Sequence, residues 1–338
     1  MTLNPHGGFT VLVRSFLRSF DEPDRGKFHC ADGACRSKVR SNRQIRNLRN
    51  KHIMHFAEAK SLLTRWNGMN LYRGCAHGCV YCDSRSACYQ FTHQFEDIKV
   101  KRNAPELLEA TLRKKRKKIV ISTGSMSDPY QPCEKELKLT RRCLELIDKY
   151  GFGASVITKS ELVLRDIDLF DSINRKAKSV LQMSLTIADD KLSRILEPNV
   201  CTTSRRYEAL KEFQARNIPS VVWMTPILPF LTDTEENMRT ILGYCFDAGV
   251  RGIVIWNAGL TLRDGDREYY YRALDRHFPG LSAEYRRRYG DAYEVNSPDN
   301  DKLMRIFRSE CEKRGVIHTP DECFRYIAEI PKQQTQKG

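Results

Sequence analysis

The sequence predicts an α/β protein: a partial (β/α)6 TIM-type barrel with a helical C-terminal extension and a basic, poorly structured N-terminal extension. Three observations predict it. Short apolar runs rich in β-branched residues alternate with longer amphipathic stretches between residues 69 and 256. There are six such runs, where a full barrel has eight. The segments before and after them break the alternation. Such alternation implies parallel strands joined by right-handed crossovers.

The elements follow in order. Met69–Arg73 reads as the first strand and Pro105–Lys117 as the first helix. Lys118–Thr123 (KIVIST) is a buried strand, followed by a helix over Leu137–Tyr150. Ala154–Thr158 (ASVIT) and Leu162–Asn174 form the next pair, then Ser179–Leu185 (SVLQMSL) and Ser204–Arg216. Pro219–Thr225 (PSVVWMT) is followed by the helix Thr234–Ala248, and Gly252–Trp256 (GIVIW) closes the series. From Arg267 to Ile330 the tail reads as helical, with Tyr- and Arg-rich stretches that pack on the barrel. The expected division is an extension over 1–56, a core over 57–262 and a tail over 263–338. Ser41–Lys51 has the pattern of a basic helix within an otherwise weakly organised segment.

The 338 residues are 41% hydrophobic and 29% charged, as a folded protein requires. No run of 18 uncharged apolar residues occurs, so no membrane span is expected. The first residues lack the pattern of a secretory signal, and a cytoplasmic location is expected. The twelve cysteines are then expected to be reduced, buried or metal-bound. Cys30 and Cys35 have the spacing of half a zinc site, but no second pair follows them nearby. The net charge is +15, and residues 1–60 supply +7 of it (12 Lys+Arg against 5 Asp+Glu). This balance admits nucleic acid as a partner without requiring it.

Cys75, Cys79 and Cys82 form a C-x3-C-x2-C loop just after the first strand, on the face where parallel barrels carry their chemistry. Gly74 and Gly78 allow the tight backbone path such a loop needs. Three thiolates on a [4Fe-4S] cube leave one iron without a protein ligand, open to chelation by a small molecule. The alternatives at this point are a Cys3His zinc site with His77 as fourth ligand, and three structural thiols.

The longer string NLYRGCAHGCVYC (70–82) resembles the radical S-adenosylmethionine (SAM) superfamily, in its spore photoproduct lyase-like branch, often labelled DNA repair photolyases. The resemblance covers about residues 58–260. It includes STGSMSDPYQPCEKELKLTR (122–141), VITKS (156–160), LEP (196–198) and MTPILPFLTD (224–233). It implies a [4Fe-4S] cluster on Cys75, Cys79 and Cys82, with SAM on the open iron. It implies that Tyr81 lies near the adenine, that Ser127 bonds the methionine group, that Lys159 faces SAM and that Ser184 lies near the ribose or methionine. It also implies a reducing electron donor such as flavodoxin or ferredoxin. The chain departs from the lyase itself at two positions. Asp83 stands where a second tyrosine is expected, and Ser125 where the lyase has its hydrogen-donating cysteine. A serine O–H is too strong to donate a hydrogen atom readily, so photoproduct repair is not expected. Cys133, in the same loop as Ser127, is the substitute candidate for that donor.

The basic run Arg113–Lys118 ends a helix and enters a strand, which puts it on the face opposite the chemistry, where it reads as a solvated helix end. Arg205–Arg206 and Arg286–Arg288 are read the same way, as solvated charge, and Tyr269–Tyr271 as part of an amphipathic helix that packs on the barrel. Two functions result. One is a radical SAM enzyme acting on a substrate that the charge suggests is nucleic acid, with a peptide or small metabolite as runner-up. The other is a nucleic-acid-binding protein with a structural zinc or iron–sulfur site.

Overall fold

The computed structural model describes residues 54–331. The sequence expectations for Cys30, Cys35 and Ser41–Lys51 lie outside this range. The chain begins with β1 (Met54–Ala57), β2 (Gly68–Met69), β3 (Tyr72–Arg73) and β4 (Ile98–Lys101), then α1 (Ala104–Lys114) and β5 (Val120–Thr123). It continues with α2 (Glu134–Leu137), α3 (Leu139–Lys149), β6 (Gly153–Thr158), α4 (Ile167–Lys176), β7 (Ser179–Ser184), α5 (Asp190–Leu196) and α6 (Thr203–Ala215). Next come β8 (Ser220–Trp223), α7 (Glu235–Asp247), β9 (Gly252–Val254) and β10 (Gly259–Thr261). The tail contains α8 (Asp266–His277), α9 (Leu281–Tyr289), β11 (Glu294–Asn296), α10 (Asn300–Arg314) and α11 (Pro320–Ala328).

Six strands form one sheet in the order β2-β5-β6-β7-β8-β9, and every neighbouring pair is parallel. This is the expected six-unit partial barrel. Alternation along its strands divides its two faces. Val156, Leu181 and Met183 turn outward into a core shared with Phe170 of α4 and Phe213 of α6. Val180, Val221 and Val254 turn to the inner face and meet Cys323 and Ile327 of α11. That helix lies across the N-terminal ends of the strands. Lys178, one residue before β7, donates to the carbonyls of Tyr326 and Glu329, the latter at 2.9 Å. The strand-like segment at Ile317 extends the β9 edge, exchanging hydrogen bonds with Arg251 and Ile253. The tail therefore packs on the barrel, as its pattern suggests.

Four expectations are corrected. The strand expected over Met69–Arg73 is two strands. Gly68–Met69 pairs with β5, whereas Tyr72–Arg73 leaves the barrel and pairs antiparallel with β4 in a separate small sheet. β4, a four-residue IKVK alternation, is too short to register in the sequence. The helix expected over Leu137–Tyr150 breaks at Lys138, which takes φ 52°. The buried Glu134 carboxylate accepts the Leu139 and Thr140 N–H groups at 3.0 and 3.1 Å and so starts α3 afresh. The extension drawn over 1–56 overlaps β1, which pairs parallel with β4. Finally, the tail is not helical throughout, because β11 pairs antiparallel with β10 across the expected boundary at 262.

The basic run Arg113–Lys118 does lie at the helix end. Arg113 donates to the Tyr150 hydroxyl at 2.8 Å and Lys118 to the Tyr150 carbonyl at 2.5 Å.

Candidate active site

The three motif cysteines lie on a loop that leaves β3 at the C-terminal face of the sheet. Gly74 takes φ +92°, and a Cβ there would stand 2.4 Å from the Phe95 carbonyl oxygen. Gly78 takes φ +71° and passes close to Pro198 and Asn199. Both glycines are therefore needed for the path that the sequence suggests. Neighbouring loops clamp the backbone between them. Gln131 accepts the Ala76 N–H at 3.0 Å, Asn199 donates to the Ala76 carbonyl at 2.9 Å, and Val80 N–H donates to the Leu196 carbonyl at 2.9 Å. Sequence segments 122–141 and 196–198 thus reach the cysteine loop from two sides.

Cys75 and Cys79 are buried and Cys82 is half-buried. Each thiol is pushed up by burial. For Cys75 the neighbouring Asp128 carboxylate and Cys82 add to this, and the thiol reaches about 12. For Cys79 and Cys82 burial is opposed chiefly by the Lys159 ammonium. Burial alone would lower Lys159, but Cys79 and Glu197 outweigh it and hold the ammonium charged. The arrangement gathers three thiols within one another's electrostatic reach, beside a positive charge that favours the thiolates of Cys79 and Cys82.

This donor set fits a cube. Among the described residues, no three His, Cys, Asp or Glu side chains converge on a single ion. The His77 ring, the fourth ligand of the zinc alternative, is engaged by Asp128, Nδ1 to Oδ2 at 3.4 Å. A [4Fe-4S] cube takes its thiolates at separate corners, and so from a wider spread than one ion allows.

Four further candidates lie around this loop. The Tyr81 hydroxyl donates to Glu197, and its ring lies 5.7 Å from the Lys159 ammonium. Lys159 follows β6 directly, and its backbone N–H donates to Asp128 at 2.8 Å. Ser127 is buried beside Asp128. It does not cap the following turn; Asp128 does, accepting the Tyr130 N–H at 2.8 Å and the Thr158 hydroxyl at 2.7 Å. Ser184 ends β7, and its carbonyl accepts from Arg206 at 2.8 Å. Cys133 is deeply buried in the loop after β5 and is pushed up to about 12, first by burial and then by Glu134 and Cys75.

Glu197 and Asp128 carry no role in the sequence analysis although both lie in quoted strings, and Arg206, expected as a solvated charge, is instead fully buried. Glu197 and Arg206 are both buried and paired, and Ser193 completes the group by accepting from Arg206 at 3.2 Å. Burial alone would raise the Glu197 carboxyl, but Arg206 and Lys159 outweigh it and keep it ionised. The network runs without a break from Tyr81 through Glu197 and Arg206 to Ser184. Three buried polar atoms on the same face have no partner among the described residues: Asn70 Oδ1, Ser125 Oγ and Thr186 Oγ1. Such atoms are uncommon in a finished interior, and here they follow β2, β5 and β7, where a small molecule would supply their hydrogen bonds.

Comparison with known proteins identifies a family and a fold. A family model described as the Radical SAM superfamily matches residues 69–242, just over half of the chain. An uncharacterized protein of Mycobacterium tuberculosis is 29% identical over 232 residues, covering 65% of this chain and 66% of the relative, so the match falls just short of two thirds of the relative's length. An uncharacterized protein of Methanocaldococcus jannaschii is 37% identical over 171 residues, 49% of this chain and 62% of the relative. Among solved structures, spore photoproduct lyase complexed with dinucleoside spore photoproduct aligns with a TM-score of 0.54 at 14% identity, covering 79% of this chain and 81% of that one. The radical SAM methyltransferase TsrM of Kitasatospora setae, with cobalamin and a [4Fe-4S] cluster bound, aligns with a TM-score of 0.50 at 11% identity, covering 78% and 59%. At these identities the structural likeness speaks for the fold alone.

Proposed function

The chain belongs to the radical SAM superfamily, whose cofactors are a [4Fe-4S] cluster and SAM, and from this premise we propose that it is a radical enzyme whose cluster is held by Cys75, Cys79 and Cys82. The observation that carries the reading is the clustering of these three thiols, two buried and one half-buried, in one clamped loop beside the Lys159 ammonium. A [4Fe-4S] cluster on these cysteines, with SAM on its open iron, would supply one-electron reductive cleavage of SAM to methionine and a 5′-deoxyadenosyl radical able to take hydrogen from a substrate.

The chain's own residues bind and orient. Lys159 presents a positive charge to the SAM carboxylate and the cysteine thiolates. Tyr81, held by Glu197, offers a fixed ring to the adenine. Ser127 and Ser184 supply hydroxyls at the ends of the loop after β5 and of β7. Cys133 is proposed as the donor that returns hydrogen to the product. Its support is its closeness to Cys75 and its retention of the S–H hydrogen at neutral pH. The surrounding apolar cluster of Val80, Ile187, Leu196 and Leu228 excludes water from the site.

The proposed substrate is nucleic acid, supported by the net charge of +15. A flavodoxin- or ferredoxin-type protein is the proposed electron donor. Among the described residues no helix is long and apolar enough to cross a membrane, and a cytoplasmic location is part of the same proposal.

The test is anaerobic reconstitution followed by reduction with dithionite. The expected material is brown, carries about four irons per chain, and releases 5′-deoxyadenosine from SAM, faster when DNA or RNA is added. Colourless protein that holds only zinc, or iron-loaded protein that never cleaves SAM, would overturn the reading.

A further inference from the structure

The inner face of the sheet carries a second constellation that the cofactor chemistry does not use. Gln182 of β7 is buried there. Its amide group donates to the Ser155 hydroxyl at 2.6 Å, and its carbonyl accepts the Trp223 indole N–H at 2.7 Å. Both ends of the amide are engaged, so the Trp223 ring is fixed in one orientation. Trp256, two residues past β9, meets it with ring centroids 5.7 Å apart. Phe324 of α11 completes the wall from the tail, 5.9 Å from Trp223 and 6.2 Å from Trp256.

Three features of this wall point to an occupant. The Trp223 and Trp256 rings are only half-buried although the sheet encloses them, and Ser122 and Ile157 on the other inner strands are half-buried too. The space they face is therefore open. The Trp256 indole N–H is buried without a partner among the described residues, while that of Trp223 is satisfied. A buried indole N–H normally finds an acceptor. Trp223 is also in register with Ser184, which places the wall level with the strand end assigned to SAM.

We propose that this wall binds a planar heteroaromatic ring of the substrate, stacked on the Trp223 and Trp256 rings, with a carbonyl on the ring accepting the Trp256 N–H. A flat neutral ring follows from the chemistry: the wall offers π-surface, one unused donor and no charge. A nucleobase and an indole-type ring share these properties. The assignment rests on the proposed function, because the ring must be held where hydrogen abstraction occurs.

Equilibrium dialysis of the cluster-reconstituted protein, with SAM present, tests it with three probes: uracil, oxindole and 5,6-dihydrouracil. Dihydrouracil keeps the carbonyls of uracil and loses its planarity. The expected result is that at least one flat ring binds tenfold or more tighter than dihydrouracil. Trp256→Phe, which keeps a ring and removes only the donor, should weaken that binding at least fivefold, and Phe324→Leu should weaken it as well. Uracil ahead of oxindole assigns the nucleobase source, the reverse assigns the indole source, and equal binding supports the shared chemistry. Dihydrouracil binding as tightly as uracil, no binding of either flat ring, or both variants binding like wild type would each overturn the proposal. The planarity comparison uses wild-type protein and so does not depend on a variant's folding. Release of 5′-deoxyadenosine without any probe is measured in parallel. Its absence would strike the proposed function, whereas the dialysis result bears on the wall.

Discussion

The Tyr81 hydroxyl donates its hydrogen to the Glu197 carboxylate, 116 residues further along the chain. The same carboxylate accepts from Arg206, so one buried acid ties the cysteine loop to α6. Neither Glu197 nor Arg206 touches water. Removing the charge of one partner leaves the other buried and uncompensated. Glu197→Gln is expected to destabilise the protein by about 3 kcal/mol, read as a fall in the urea midpoint. Tyr81→Phe removes only one hydrogen bond and should lower stability by about 1 kcal/mol.

Substituting the motif cysteines separates ligands from bystanders. Cys75→Ala, Cys79→Ala and Cys82→Ala should each lose most of the bound iron after reconstitution, measured as iron and sulfide per chain. Cys133→Ala should keep its iron and still release 5′-deoxyadenosine, but fail to complete turnover of substrate. Turnover unchanged from wild type would remove Cys133 from the mechanism.

Gly124 ends β5 with φ +105°, and a Cβ there would stand 2.0 Å from the Ile157 carbonyl oxygen. The obstacle is backbone of the next strand, which cannot step aside as a side chain can. Gly124→Ala is expected to destabilise the fold by more than about 2 kcal/mol. Gly151 also has positive φ, at +63°, but nothing lies within 4 Å of its would-be Cβ. Gly151→Ala should lower stability by only about 1 kcal/mol, and denaturant titration of both variants checks the ranking.

Asp266 gives a pH dependence of defined sign. Burial first, and then the Asp83 carboxylate, push its carboxyl up to about 7 from the ordinary 3.8, and its Oδ2 atom is buried without a partner. The folded state thus holds a proton that the unfolded state releases. Stability falls as pH rises from about 4 to about 7 and is level above that on account of this group. Asp266→Asn should therefore stabilise the protein at pH 8 by about 2 kcal/mol, with the gain vanishing near pH 4. A gain of equal size at both pH values would refute the assignment.

How much of this was legible beforehand differs between parts of the molecule. The motif loop was legible because its three cysteines lie within eight residues and its glycines announce the turn. The network that supports it was not. Glu197 and Arg206 look like two ordinary charges in a helical stretch, and only their shared burial shows that they act as a pair. The turn after Ser127 and Asp128 was hidden for a related reason. Either side chain suits the turn at Pro129, and the deciding contact is with Thr158, thirty residues away.

The sequence by itself determined the alternation of strand and helix, the count of six parallel strands and the spacing of the three thiols. All of these rest on local periodicity or on neighbours in the chain. Tertiary structure alone decided that Met69–Arg73 divides between two sheets, that α11 spans the base of the barrel, and that Trp223, Trp256 and Phe324 meet on its inner face. These depend on contacts between residues far apart in sequence, where free energy is set by burial and pairing in three dimensions and leaves no periodic trace along the chain.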